Sequence, residues 1–91
     1  MKRSIRLSIS GSVQGMFFRQ FIKENADQLN IRGFIRNLED GRVEVFLEGN
    51  SEEVEKMIEV CKRGTPHSMI RGVSILDEKF QDFKDFKILT F

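Results

Sequence analysis

The chain has 91 residues, 40% hydrophobic and 32% charged, with a formal net charge of +1; this fits one small globular domain, here taken as residues 1–91, and speaks against a disordered chain or a nucleic-acid binder. The single cysteine rules out an internal disulfide, and no stretch approaches the ~20 apolar residues that a membrane span needs. Arg6 interrupts the apolar run that would have to follow Lys2 and Arg3 in a signal peptide, so a cytoplasmic protein is expected.

Ile5, Leu7 and Ile9 alternate with Arg6, Ser8 and Ser10, the period-two pattern of a strand with one buried face. Gly11 to Gly15 breaks that pattern. Phe18, Phe21, Ile22, Ala26 and Leu29 then recur at helical spacing, opposite Arg19, Gln20, Lys23, Glu24 and Asp27. Asn30 can close this helix, because Asn tolerates the left-handed conformation of a C-terminal cap. Ile31 to Asn37 reads as a second strand. Val43, Val45 and Leu47 alternate with Glu44, Phe46 and Glu48 in a third, and Asp40-Gly41 signals the hairpin between them.

Asn50 or Ser51 can cap a second helix, with Glu52 and Glu53 at its positive end and Val54, Met57, Ile58 and Cys61 as its apolar stripe. Lys62, Arg63 and Gly64 are its stop signals. Val73 and Ile75 mark a fourth strand, Phe86 and Ile88 a last one. The order is β-α-β-β-α-β with room for a short extra strand. The expected fold is α+β: a ferredoxin-like βαββαβ sandwich, an antiparallel sheet with both helices on one face. Nine Phe, with no Trp or Tyr, are expected in the core rather than on a binding platform.

Such a fold serves many functions, so function must come from a site. The candidate is the turn from the first strand into the first helix. Gly11 and Gly15 let backbone N–H groups crowd around one point, and the positive end of the helix aims at the same place. Arg19 lies in the first turn, and its forked, permanent charge suits a phosphate group. The G-x-x-x-x-G-K-[ST] pattern of a nucleotide P-loop is missing. A plain turn with a surface arginine is equally compatible with these residues alone.

The spacing of Gly11, Val13, Gln14, Gly15 and Arg19, followed by Gly33, Phe34, Asn37, Gly41, Val43 and Gly49, resembles the two signatures of the acylphosphatase family. The resemblance spans essentially the whole chain. Departures are mostly apolar for apolar: Met16 and Ile35 stand where Val is usual, Phe34 where Trp is frequent, and Phe91 where Tyr is common. Thr65-Pro66 replaces a loop often richer in Pro.

The resemblance implies hydrolysis of acyl phosphates to a carboxylate and inorganic phosphate. It maps the phosphate-binding arginine to Arg19 and the water-positioning asparagine to Asn37. Backbone N–H groups of Gln14, Gly15, Met16, Phe17, Phe18 and Arg19 would complete a phosphate cradle. The expected protein is a monomer acting on a small molecule, with no cofactor, metal, nucleic acid or membrane partner.

Other residues have plainer readings. His67 is expected in an exposed loop, and Cys61 as a buried apolar residue rather than a nucleophile. One His and one Cys make a His/Cys metal site improbable. Glu52, Glu53, Glu55 and Glu59 read as a solvated helix face. Arg36 should point away from Asn37, and Lys23 reads as a solvent-facing charge that could attract anions. Two other functions fit the element order. Arg32-Gly33-Phe34 echoes the start of an RNA-binding RNP1 motif, but Arg36 and Asn37 stand where that motif needs aromatics. A non-catalytic domain that binds a small anion is the other.

Overall fold

The computed structural model describes residues 1–90; Phe91 lies outside the described residues. The elements are β1 (Lys2–Ser12), α1 (Met16–Gln28), β2 (Arg32–Asn37), β3 (Val43–Asn50), α2 (Ser51–Arg63), β4 (Met69–Asp77) and β5 (Phe86–Leu89). They form one sheet in the order β4-β1-β3-β2-β5. Every pairing is antiparallel except β2 with β5, which run parallel. The sheet is therefore mixed rather than wholly antiparallel, because the chain crosses from one edge to the other before adding its last strand.

The alternating residues define two faces. Ile5 pairs with Leu47, Leu7 with Val45, and Ile35 with Val45. These side chains meet Phe18, Ile22 and Ala26 of α1 and Val54, Met57, Ile58 and Cys61 of α2 in one core. Both helices thus cover one face, as their apolar stripes require. Each fully buried aliphatic side chain contributes about 1.5–3 kcal/mol, and the core contains many. Asn30 closes α1 at φ 55°, as its residue type suggested. Asn50 occupies the cap position of α2, but its side chain makes no capping hydrogen bond.

The opposite face is only partly solvated. Residues 78–85 cross beneath it and cover the far part of β3. Glu48 is only 2% exposed; its carboxylate accepts from Ser4 Oγ at 2.8 Å and from the backbone N–H groups of Gln81 and Phe83 at 2.6 and 2.9 Å. Phe83 packs its edge against Phe34 and Phe46. Glu44 lies between Arg6 and Arg36, at 2.9 and 2.7 Å. Arg36 therefore sits on the face away from the helices, while Asn37 shares the helix-facing parity of Ile35.

Two glycines are demanded by strand contacts. Gly11 lies within β1, at a register shift, with φ 130°; a Cβ there would fall 1.9 Å from the Met69 carbonyl oxygen. Gly33 has φ 139°, and its Cβ would fall 1.9 Å from the Phe46 carbonyl oxygen. Gly11 therefore does not open the turn, as expected above, but lets β4 approach β1.

Candidate active site

The turn proper is Val13–Gly15. Val13 is buried and anchors it to the core. Gly15 is the N-cap residue of α1, in extended conformation (φ −72°), with open space where a Cβ would be. No side chain caps this helix and no acidic residue lies in its first turn. Its leading N–H groups and the positive end of its dipole are thus left for an outside anion. Met16 and Phe17 are exposed, Phe17 at 90%, while Phe18 at 3% is locked into the core. Phe18 thereby sets the rotation of the helix and so the position of Arg19.

Arg19 and Asn37 line one cavity of about 300 Å³, together with Leu89 and Thr90. They arrive from opposite directions: Arg19 from the first turn of α1, Asn37 from the end of β2. Arg19 Nε and Asn37 Oδ1 are the two buried side-chain polar atoms without a hydrogen-bond partner among the described residues. Native structures satisfy nearly all such atoms, so two orphans on residues that line one cavity set this end of the fold apart. Asn37 Nδ2 is occupied, donating to the Gln14 carbonyl at 3.2 Å. Among the described residues no group of three His, Cys, Asp or Glu stands ready to hold a metal ion, and no helix is long and apolar enough to cross a membrane.

The sequence matches the acylphosphatase family over residues 5–88. An acylphosphatase of Syntrophobacter fumaroxidans is 42% identical over 88 residues, covering 96% of this chain and 91% of its own. One of Pyrobaculum islandicum is 46% identical over 85 residues, covering 91% and 90%. This chain belongs to the acylphosphatase family. The crystal structure of acylphosphatase from Bacillus subtilis superposes with a TM-score of 0.92 at 31% identity, covering 99% of this chain and all of that one. The protein is accordingly a hydrolase of acid anhydrides, cleaving the carboxyl–phosphate bond of small acyl phosphates.

Against that acylphosphatase background the remaining candidates resolve simply. His67 is exposed. Cys61 is fully buried, and burial pushes its thiol up to about 12. Lys23 is half-buried and does not simply face solvent: its Nζ donates to Asp27 at 2.9 Å and to the Phe86 carbonyl at 3.1 Å, tying α1 to β5. Sequence reasoning missed Leu89 and Thr90 as cavity walls. They arrive through the parallel pairing of β5 with β2, where Arg36 stands opposite Leu89. It also missed the Gln14 side chain, whose Nε2 donates to the Leu38 and Arg42 carbonyls; no local pattern announces such a bond.

Proposed function

We propose that the Arg19 guanidinium and the backbone N–H groups of residues 14–18 hold the phosphoryl group, and that Asn37 aims the attacking water. The Arg19 backbone N–H, expected in the same cradle, instead donates to the Gly15 carbonyl at 3.4 Å. The observation that carries this reading is the pair of orphaned atoms, Arg19 Nε and Asn37 Oδ1, at one cavity. An orphaned guanidinium N–H asks for an acceptor such as a phosphate oxygen. An orphaned carboxamide oxygen asks for a donor such as the O–H of water. The uncapped first turn of α1 adds donors and positive potential beside them.

The chemistry needs little more. The leaving group is a carboxylate whose conjugate acid has a pKa near ~4, so it departs at neutral pH without a general acid. Phosphoryl transfer depends mainly on positioning and electrostatic stabilisation. Arg19 and the amides supply the electrostatics; Asn37 supplies the direction of attack. The proton of the water passes to a phosphoryl oxygen, so no side-chain base is required. The protein works as one domain and as a cytoplasmic monomer, without metal and without a nucleic-acid partner.

Release of inorganic phosphate from a simple aromatic acyl phosphate and from an aryl phosphate monoester tests this account, before and after dialysis against a chelator. Rapid cleavage of the first and little of the second is expected, unchanged by the chelator. Comparable rates on both would sink the leaving-group argument. Activity lost on dialysis and restored by Mg²⁺ or Zn²⁺ would sink the metal-free one.

A further inference from the structure

Asn37 can aim a water only if its carboxamide faces the right way. A carboxamide turned by half a revolution offers N–H₂ where its oxygen stood. Here Nδ2 is bonded to the carbonyl oxygen of Gln14. A flipped group would set oxygen against oxygen, so the bond to residue 14 keeps Oδ1 as the free atom. The orientation of Asn37 therefore depends on where the Gln14 backbone sits.

That placement is not provided by strand pairing. β1 and β2 are separated by β3 in the sheet, two strand spacings, or about 10 Å. The Gln14 side chain bridges them. Its Nε2 donates to the Leu38 carbonyl at 2.8 Å and to the Arg42 carbonyl at 3.1 Å, the two ends of the loop that follows Asn37. Both partners are acceptors, so the Gln14 carboxamide cannot flip either. Among the described residues, every hydrogen bond joining residues 13–15 to residues 37–42 runs through Gln14. The contacts are reciprocal: the carboxamide of residue 37 reads the backbone of residue 14, and the carboxamide of residue 14 reads the backbone on either side of the loop beyond residue 37.

We infer that the Gln14 side chain is a positioning residue for hydrolysis: it locks the phosphate cradle to the β2–β3 loop, and so fixes the Asn37 carboxamide with its oxygen toward the water. This rests on the water-aiming reading of Asn37. With both Nε2 hydrogens committed to carbonyls, the side chain acts through Asn37 rather than on substrate. The β2–β3 loop does not need it to close, since Leu38 N–H donates to the Arg42 carbonyl at 2.8 Å and Gly41 N–H to the Leu38 carbonyl at 3.2 Å. Removing the Gln14 donors should therefore loosen the register of the two loops while the fold persists.

The test is a mutant cycle with turnover of an aromatic acyl phosphate and competition by inorganic phosphate, on variants checked by circular dichroism. Gln14→Met keeps the length and removes both donors. Its kcat should fall about tenfold, a modest share of what ~1 Å of misplacement can cost, while the inhibition constant of phosphate stays within about twofold. Gln14→Asn keeps the amide but is one methylene short, and should show a smaller loss of the same kind. In an Asn37→Ala background, adding Gln14→Met should change kcat less than about twofold, because the group it orients is already gone. Full activity of Gln14→Met, or the same loss in both backgrounds, would overturn the inference while leaving a crippled Asn37→Ala to support the role of Asn37. A fully active Asn37→Ala would overturn both together.

Discussion

The two ends of the sheet handle buried polarity in opposite ways. At the far end α2 begins with Glu52 and Glu53 in its first turn, so its positive end is neutralised from within. Nearby, the Glu48 carboxylate collects three donors. At the cradle end α1 begins with no acid and no side-chain cap, and Arg19 Nε and Asn37 Oδ1 are unmatched. The helices are equally long, at 13 residues, and pack on the same face. The far end even has the larger cavity, about 580 Å³ against about 300 Å³. On the proposed assignment the site is marked by polarity left incomplete and not by cavity size.

Removing the charge at the cradle end should have the largest effect. Arg19→Ala should lower turnover by about 10³ or more, the scale of a lost transition-state arginine, and should also weaken competition by inorganic phosphate. Arg19→Lys should restore little, because a point charge cannot reproduce the fork. Steady-state kinetics with phosphate as inhibitor reads both; substantial activity in either variant contradicts the assignment. Asn37→Ala should fail differently. Turnover should drop by about 10²–10³, as when one preorganised polar group is lost, with phosphate affinity nearly intact. An equal loss of phosphate affinity would mean that Asn37 binds the phosphoryl group rather than the water.

The far end should answer in stability and not in chemistry. Glu48→Ala leaves the Ser4 hydroxyl and the Gln81 and Phe83 N–H groups without their acceptor. The expected loss is about 2–4 kcal/mol, given the usual penalty for such groups, with kcat of the folded protein unchanged. Denaturant unfolding and turnover on one sample decide it, and a stable but inactive Glu48→Ala would erase the distinction between the two ends.

At the proposed cradle the turn, the helix start and Arg19 are legible because they lie close together in sequence, whereas Asn37 rests on the family resemblance and Leu89 and Thr90 go unseen. Helical spacing put Phe18, Ile22 and Ala26 inward, and a phosphate cradle needs a turn, a helix start and a cation within a few residues. The expectation of a core role for the nine Phe fails at Phe17 and Phe80, which are exposed; Phe17 falls off the helical stripe. The far end was harder to read. Glu44 and Glu48 alternate with Val45 and Leu47, which reads as a solvated face. Glu44 is buried because Arg6 and Arg36 close over it, Glu48 because a segment some 35 residues downstream covers it, and Glu48 is satisfied largely by backbone N–H groups that no residue type reveals. The parallel docking of β5 is hidden for the same reason: Phe86 and Ile88 show a strand but not its neighbour.

Glu44 offers a smaller, pH-dependent effect on the same covered face. Burial pushes its pKa up, but hydrogen bonds and charge attraction from Arg36 and Arg6 outweigh burial and hold it below its ordinary value of 4.5. A carboxylate with a depressed folded pKa stabilises the protein above its unfolded pKa. That contribution is lost as pH falls through the folded value. Glu44→Gln should therefore be less stable than the parent at pH 7, and the gap should narrow as pH falls below 4.5. A gap that is constant or widens in acid would show that the two arginines do not hold the charge.

Cys61 should produce the smallest effect on activity and the sharpest view of the core between the two ends. Its thiol is pushed up to about 12 by burial alone, so on the order of 10⁻⁴ of it is thiolate at pH 8, and the thiolate is the reactive form. Burial also denies a reagent access. An alkylating agent at pH 8 should leave the native protein unlabelled and fully active, yet modify it quickly in denaturant. Labelling then requires opening of α2 from the sheet, and its rate measures how often that happens. Glu48→Ala should speed labelling about tenfold for every ~1.4 kcal/mol of lost global stability if Cys61 is exposed only by complete unfolding. Asn37→Ala, which disturbs only the cradle, should not speed it. Fast labelling of the native parent would mean that α2 opens locally, and the core would then be less continuous than the packing of Val54, Met57, Ile58 and Cys61 against β1 and β3 requires.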